Sequence, residues 1–161
     1  MPTLYIYCGI PGSGKSYYAQ NIQKDIPYLS RDAIRFSMVK EDEEYFSKEA
    51  KVFNCFSASA ATALILGADV ICDATHISKG SRRKLIDAID RFFKKNNEEP
   101  DYDIVFVVFD TPFEVCCERN AARTGRARVP DNVMESFRDG WLAPSMKEDK
   151  RVKKVEWVKG E

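Results

Sequence analysis

Short, nearly all-apolar runs punctuate the chain, and stretches with helical spacing separate them. Thr3–Cys8 is the first such run and reads as a buried strand. Residues 16 to 25 carry no Gly or Pro and read as a helix, which Pro27 stops. Tyr28–Ser30 is a very short strand. Arg31-Asp32-Ala33-Ile34-Arg35 then opens a second helix, with Ser30 placed to cap it. The acidic run Glu41-Asp42-Glu43-Glu44 suits the N-terminal turn of a third helix that reaches about Leu66. There Phe46, Ala50, Phe53, Phe56, Ala60 and Leu64 recur at three- and four-residue steps, so they are read as its core face. Gly67 ends that helix. Residues 68 to 73 form a second buried strand ending in an acid, and Ala74-Thr75-His76 follows as a loop. Residues 81 to 95 are an amphipathic helix with Leu85, Ile86, Ile89, Phe92 and Phe93 on one side. Residues 102 to 110 are the longest apolar run, as expected of a strand covered on both faces. Pro112 opens the next helix, and a basic loop covers residues 124 to 130. Residues 131 to 146 are helical, with interruptions at Gly140 and Pro144. Val155 and Trp157 alternate with Lys154 and Glu156, which marks an edge strand.

Strands that alternate with helices imply an α/β fold, a parallel sheet with right-handed crossovers. Ligands of such sheets lie beyond the C-terminal ends of the strands. Four stretches follow strands and should meet there: the turn after Cys8, Ser30-Arg31-Asp32, Asp73-Ala74-Thr75-His76, and Asp110-Thr111. Length fits one domain over residues 1–161. The formal net charge of zero removes the simplest argument for broad, purely electrostatic binding to nucleic acid. Five cysteines at irregular spacing match no zinc site and point to reduced thiols in the cytoplasm. No apolar stretch approaches membrane-spanning length and no signal peptide is recognisable, so no membrane partner is expected.

The turn after the first strand changes the picture most. Gly9-Ile10-Pro11-Gly12-Ser13-Gly14-Lys15-Ser16 is G-x-x-x-x-G-K-[ST], a phosphate-binding loop, and it sits between a strand and a helix as that motif requires. Its glycines let successive N–H groups turn toward one anion. Lys15 would bring positive charge to the outer phosphates, and Ser16 a hydroxyl to Mg²⁺. Gly9, Pro11, Gly12, Ser13, Gly14, Lys15, Ser16 and the following Tyr17 are therefore the candidate nucleotide-binding residues, with ATP the expected phosphoryl donor.

Phosphoryl transfer also needs a group that takes the acceptor's proton. Asp32, after the second strand, is the candidate general base, or else a helix-start Asp that only caps. Asp73 ends a buried strand and would support Mg²⁺ or bind the acceptor. Arg119 and Arg123 are four apart and read as sharing a helix face. With Gly125 as a hinge, residues 119–130 would form a lid that carries Arg123, the candidate catalytic Arg, over the transferring group. Arg35 lies one turn beyond Arg31 and could hold an acceptor phosphate. Arg82 and Arg83 either extend that patch or are ordinary surface residues. Thr75 and His76, the single histidine, stand beside Asp73 as candidate acceptor contacts; nothing is spaced to make His76 a metal ligand.

These motifs in this order resemble the kinase domain of phage-type polynucleotide 5′-kinases. The resemblance rests on the glycine loop, Ser30-Arg31-Asp32-x-x-Arg35, Asp73-Ala74-Thr75-His76 with Arg82-Arg83, Val108-Phe109-Asp110-x-Pro112, Arg119-Asn120-x-x-Arg123 and Val129-Pro130. It implies a P-loop kinase fold with sheet order 2-3-1-4-5. It implies transfer of the γ-phosphoryl of ATP, with Mg²⁺, to a 5′-hydroxyl nucleic-acid end. Asp32 would be the base, Arg35 would hold an acceptor phosphate, and Arg119 and Arg123 would belong to the lid. His76 stands where members usually carry Asn. The phage enzyme also has a phosphatase domain, for which this chain shows neither room nor motif. Two other readings compete. One is a P-loop kinase of a small-molecule or tRNA-linked hydroxyl. The other is an ATP-binding regulatory module, which would need neither a base nor a lid arginine.

Overall fold

The computed structural model describes residues 1–160. Its elements in chain order are β1 (Thr3–Cys8), α1 (Lys15–Asn21), β2 (Tyr28–Ser30), α2 (Arg31–Met38), α3 (Glu49–Ile65), β3 (Val70–Asp73) and α4 (Lys79–Lys95). They continue with β4 (Asp103–Asp110), α5 (Phe113–Ala121), α6 (Asp131–Gly140) and β5 (Val152–Lys159). One 3₁₀ turn, Gly125–Ala127, follows α5, and another, Met146–Glu148, precedes β5. The five strands form one sheet in the order β2-β3-β1-β4-β5, the expected order, and every pairing is parallel.

Alternation along the central strands explains why both faces are covered. Leu4, Ile6 and Cys8 of β1, Val70 and Cys72 of β3, and Ile104 and Phe106 of β4 point to one side. There they meet Phe56, Ala60 and Leu64 of α3 and Leu85, Ile86 and Ile89 of α4. Tyr7, Ile71, Val107 and Phe109 point to the other side, against Ala19 and Tyr18 of α1. All strands therefore end at the same edge, and the loops that follow them share one crevice.

The helix ends are set by side chains. Ser30 caps α2 by accepting from the Ala33 N–H at 3.1 Å. Ser78 and Ser81 form a reciprocal cap that starts α4 at Lys79, two residues earlier than periodicity alone suggests. Helix α1 is shorter than expected and ends at Asn21; the Tyr7 hydroxyl donates to Gln23 Oε1 at 2.5 Å and draws the following turn onto the sheet. Helix α6 stops at Gly140 instead of running to residue 146.

One element differs in kind. The acidic run is not the first turn of α3. Residues 41–48 form turns, and α3 begins at Glu49. The acid that occupies the helix's first turn is Glu49, held there by Arg31 and Arg35 from α2. Phe46 consequently leaves the core and is 61% exposed, and Ala50 is exposed as well, while Phe53, Phe56, Ala60 and Leu64 are buried as expected. No helix among the described residues is long and apolar enough to cross a membrane.

Candidate active site

The phosphate loop bends where its sequence permits. Gly12 and Gly14 have φ of 85° and 99°, values that L side chains rarely adopt. At Gly12 a Cβ would also lie 2.6 Å from the Cys116 carbonyl of α5, so the loop packs directly on that helix. The Gly12 carbonyl accepts from Arg119 Nη1 at 3.1 Å and the Ser13 carbonyl from the Thr111 hydroxyl at 2.8 Å. The Ser13 N–H is itself spent on the Ile10 carbonyl at 3.2 Å. The Gly9 N–H donates to the Thr75 carbonyl, which ties the loop to the segment after β3. Lys15 Nζ donates to the carbonyls of Gly9 and Ile10 at 2.8 and 3.1 Å. Burial lowers its pKa, and the fields of Asp73 and Asp32 oppose that shift. The Ser13 hydroxyl is buried and has no hydrogen-bond partner. An orphaned donor inside a glycine cradle fits a phosphate oxygen.

A crevice of about 1430 Å³ opens from this loop. It brings together Pro11, Gly12, Ser13, Gly14, Lys15, Ser16 and Tyr17 with Asp32, Arg35, Asp73, Thr75, His76, Arg119 and Arg123. Gly9 is buried and does not line it. Ser16 and Tyr17 are exposed at the rim.

Asp32 stands on the first turn of α2. Its Oδ1 accepts from Arg35 Nη1 at 2.6 Å, and its side chain remains 64% exposed. Arg35 is nearly buried, and its guanidinium is engaged on every side. Nε and Nη2 donate to Glu49 at 3.0 and 2.8 Å, and Nη1 also reaches the Tyr45 hydroxyl at 3.2 Å. Arg31 donates to the same Glu49. Burial would raise the Glu49 pKa, but the hydrogen bonds from Arg35 and Arg31 outweigh it and the net shift is down. Glu49 thus orients Arg35, and Arg35 orients Asp32.

Asp73, at the end of β3, is buried. Burial raises its pKa; Lys15 and a hydrogen bond from the Tyr28 hydroxyl act the other way. Asp73 and Ser16 line the same crevice, and a carboxylate with a hydroxyl suits a hard cation, because Mg²⁺ uses one or two carboxylates with phosphate oxygens and water. No cluster of three potential metal-ligating side chains exists among the described residues. Ser16 and Asp73 would therefore hold such an ion only together with a nucleotide. His76 is 4% exposed, has φ of 45°, and donates from Nδ1 to the Tyr7 carbonyl at 2.7 Å.

Arg123 is exposed and lies past the end of α5, not on a helix face shared with Arg119. The cause is Asn120, which is buried and bonds both the N–H and the carbonyl of Val129 at 2.9 and 2.7 Å. That pair closes residues 120–129 into a ring and stops the helix. Neither Arg82 nor Arg83 lines the crevice. Arg82 is fully buried against Glu148, and Arg83 pairs with Asp87 and Asp149. Sequence reasoning missed Tyr28, Tyr45, Phe46 and Glu49, which all line the crevice. Arg31 and Arg35, one turn apart, were the available signal that a shared acid would be needed.

Comparisons with known proteins bear on the fold and the family. No curated protein matches the chain in sequence. Among solved structures, a sugar kinase from Janibacter sp. superposes with a TM-score of 0.62 at 15% identity, covering 99% of this chain and 86% of that one. A chain of the Pnkp1/Rnl/Hen1 RNA repair complex superposes with a TM-score of 0.67 at 27% identity, covering 86% of this chain and 43% of that one. A fungal RNA kinase gives a TM-score of 0.65 at 13% identity over 99% of this chain and 38% of its own. Residues 4–144 match the sequence profile of the family described as AAA domain. The chain belongs to that family, and its fold is that of a P-loop kinase-like, nucleotide-binding enzyme.

Proposed function

We propose that this protein is an ATP-dependent kinase that transfers the γ-phosphoryl group to a 5′-hydroxyl end of DNA or RNA. One observation carries the reading: an exposed carboxylate, Asp32, is held by Arg35 in the same crevice as the phosphate loop. In the proposed reaction the acceptor oxygen attacks the γ-phosphorus, and its proton passes to Asp32. The bond from the γ-phosphorus to the β,γ-bridging oxygen breaks and ADP leaves. Lys15 and the loop amides would hold the phosphates in line. Arg123 would neutralise charge on the transferring group, and Arg119 would hold the loop and the nucleotide. Thr75, His76 and Asp73 would border the acceptor. Mg²⁺, held by Ser16 and Asp73 with the nucleotide, would neutralise phosphate charge.

Support for a nucleic-acid acceptor comes from the RNA repair complex, at 27% identity, and from Arg31, Arg126 and Arg128 at the crevice margin. A small-molecule hydroxyl is the second reading. The near-complete mutual coverage with a sugar kinase favours it. Labelled ATP with a panel of 5′-hydroxyl oligonucleotides, nucleosides and sugars separates the two. Label on oligonucleotide ends is expected, and label confined to sugars would reject the first reading. Asp32→Asn should then keep ATP affinity while turnover falls by roughly 10²–10⁴; unchanged turnover would remove Asp32 as the base.

A further inference from the structure

Phe46 is a large aromatic ring that the core does not use. It is 61% exposed and lines the crevice. It is held in place all the same. Tyr45 packs edge-on against it with ring centroids 4.7 Å apart, and the Arg35 guanidinium lies 5.4 Å from its centroid. Arg35 also sits 4.8 Å from the centroid of Tyr45. One guanidinium therefore reaches from the Asp32 carboxylate on one side to both rings on the other. The turn that carries the rings is itself fastened: Glu43 accepts from the Lys40 N–H at 3.0 Å, and Lys48 donates to the Met38 carbonyl at 2.8 Å. An exposed ring backed by a guanidinium, in a crevice that further arginines line, is what a planar, electron-rich ligand attached to a phosphate chain would need.

Resting on the reading of this site as a 5′-hydroxyl kinase, we propose that Phe46, backed by Tyr45 and Arg35, is the stacking platform for the base of the acceptor's 5′-terminal nucleotide. Arg35 bridges Asp32 and Phe46, 2.6 Å from the carboxylate and 5.4 Å from the ring centroid, as in a nucleoside one sugar ring separates the 5′-oxygen from the base. The hydroxyl would lie at Asp32, the base on Phe46, and the downstream phosphodiester toward Arg128, which lines the same crevice. Stacking is indifferent to base identity, since every base has a π-face, so the platform would select for the presence of a base and not for its sequence.

The experiment compares two 5′-hydroxyl oligonucleotides that differ only in whether the first nucleotide carries a base. The wild-type protein should prefer the base-bearing acceptor. Phe46→Ala should raise KM for that acceptor by about 5- to 150-fold, the range for losing one base–aromatic stack. It should leave kcat, the KM for ATP and the KM for the abasic acceptor unchanged. Phe46→Trp should restore the preference. Equal effects of Phe46→Ala on the two acceptors, or none on either, would overturn the platform while transfer to oligonucleotides still stands. If the wild-type protein labels no oligonucleotide at all, both the platform and the proposed function fall.

Discussion

His76 has the most to say at the scale of one residue. Its backbone is in the left-handed region, its ring stacks on Phe56 with centroids 6.2 Å apart, and its Nδ1–H is spent on the Tyr7 carbonyl. Burial pushes its pKa down to about 4, against about 6.5 for a free side chain; the hydrogen bond to Tyr7 opposes that shift only in part. The folded protein therefore keeps this ring neutral where the unfolded chain would protonate it. Between pH 6.5 and 4 the unfolded state binds one more proton, so stability is full above that window and declines as pH falls through it. The decline has a slope of about 1.4 kcal/mol per pH unit. Asp73 has the opposite sign, because its raised pKa lets the folded state take a proton first. It is common to wild type and variant, so it cancels in a comparison. His76→Asn should lower stability at pH 7.5 but flatten its fall toward pH 4.5, measured as urea midpoints across that range. Parallel profiles would show that the ring titrates normally in the fold.

Among elements, the segment between α5 and α6 meets α2. Arg126 places its guanidinium on the last turn of α2, where Nη1 donates to the Val39 carbonyl and Nη2 to the Phe36 carbonyl at 3.1 Å. It also lies 4.7 Å from the Phe36 ring centroid. Carbonyls at a helix C-terminus lack intrahelical partners, so a cation there is doubly favoured. The contact fastens the arginine-bearing segment to the helix that carries Asp32. Arg126→Ala should speed amide hydrogen exchange in residues 122–128 and at the end of α2, with less than about 1 kcal/mol lost from global stability. Unchanged exchange in both places would mean that the Asn120–Val129 ring alone holds the segment. Sequence legibility follows the same physics. Strands β1 and β4 are readable because a continuous apolar run leaves them one fate. The start of α3 is not readable, because Tyr45 and Phe46 continue its helical spacing while the deciding contacts are ion pairs from Glu49 to Arg31 and Arg35 on another helix. For the same reason the phosphate loop and Asp32 could be found from local pattern, and the aromatic wall beside them could not.

At the scale of the whole molecule, the buried Arg82 ties the crevice to the far end of the chain. Its Nε and Nη2 donate to Glu148 at 2.8 and 3.0 Å, and its Nη1 to the carbonyls of His76 and Leu142 at 2.8 and 3.0 Å. Four pieces of chain thus converge on one guanidinium: the loop after β3, the first turns of α4, the strand-like segment after α6, and the turn that leads into β5. In sequence Arg82 and Arg83 look alike, and only the fold separates a fully buried charge from a surface one. Removing the acid leaves that charge without its counterion. Glu148→Ala should therefore cost about 3–5 kcal/mol. At 2–4 °C per kcal/mol for a domain of this size, Tm should fall by roughly 6–20 °C. Asp87→Ala removes only an exposed pair with Arg83 and should cost about 0.5 kcal/mol or less. The double variant Arg82→Met/Glu148→Leu removes both charges together and should recover much of the loss. It should not recover all of it, because the His76 and Leu142 carbonyls would lose their donor. Thermal melts of these three variants decide the matter: equal Tm for Glu148→Ala and Asp87→Ala would show that the buried pair does not hold the crevice wall to the C-terminal strand.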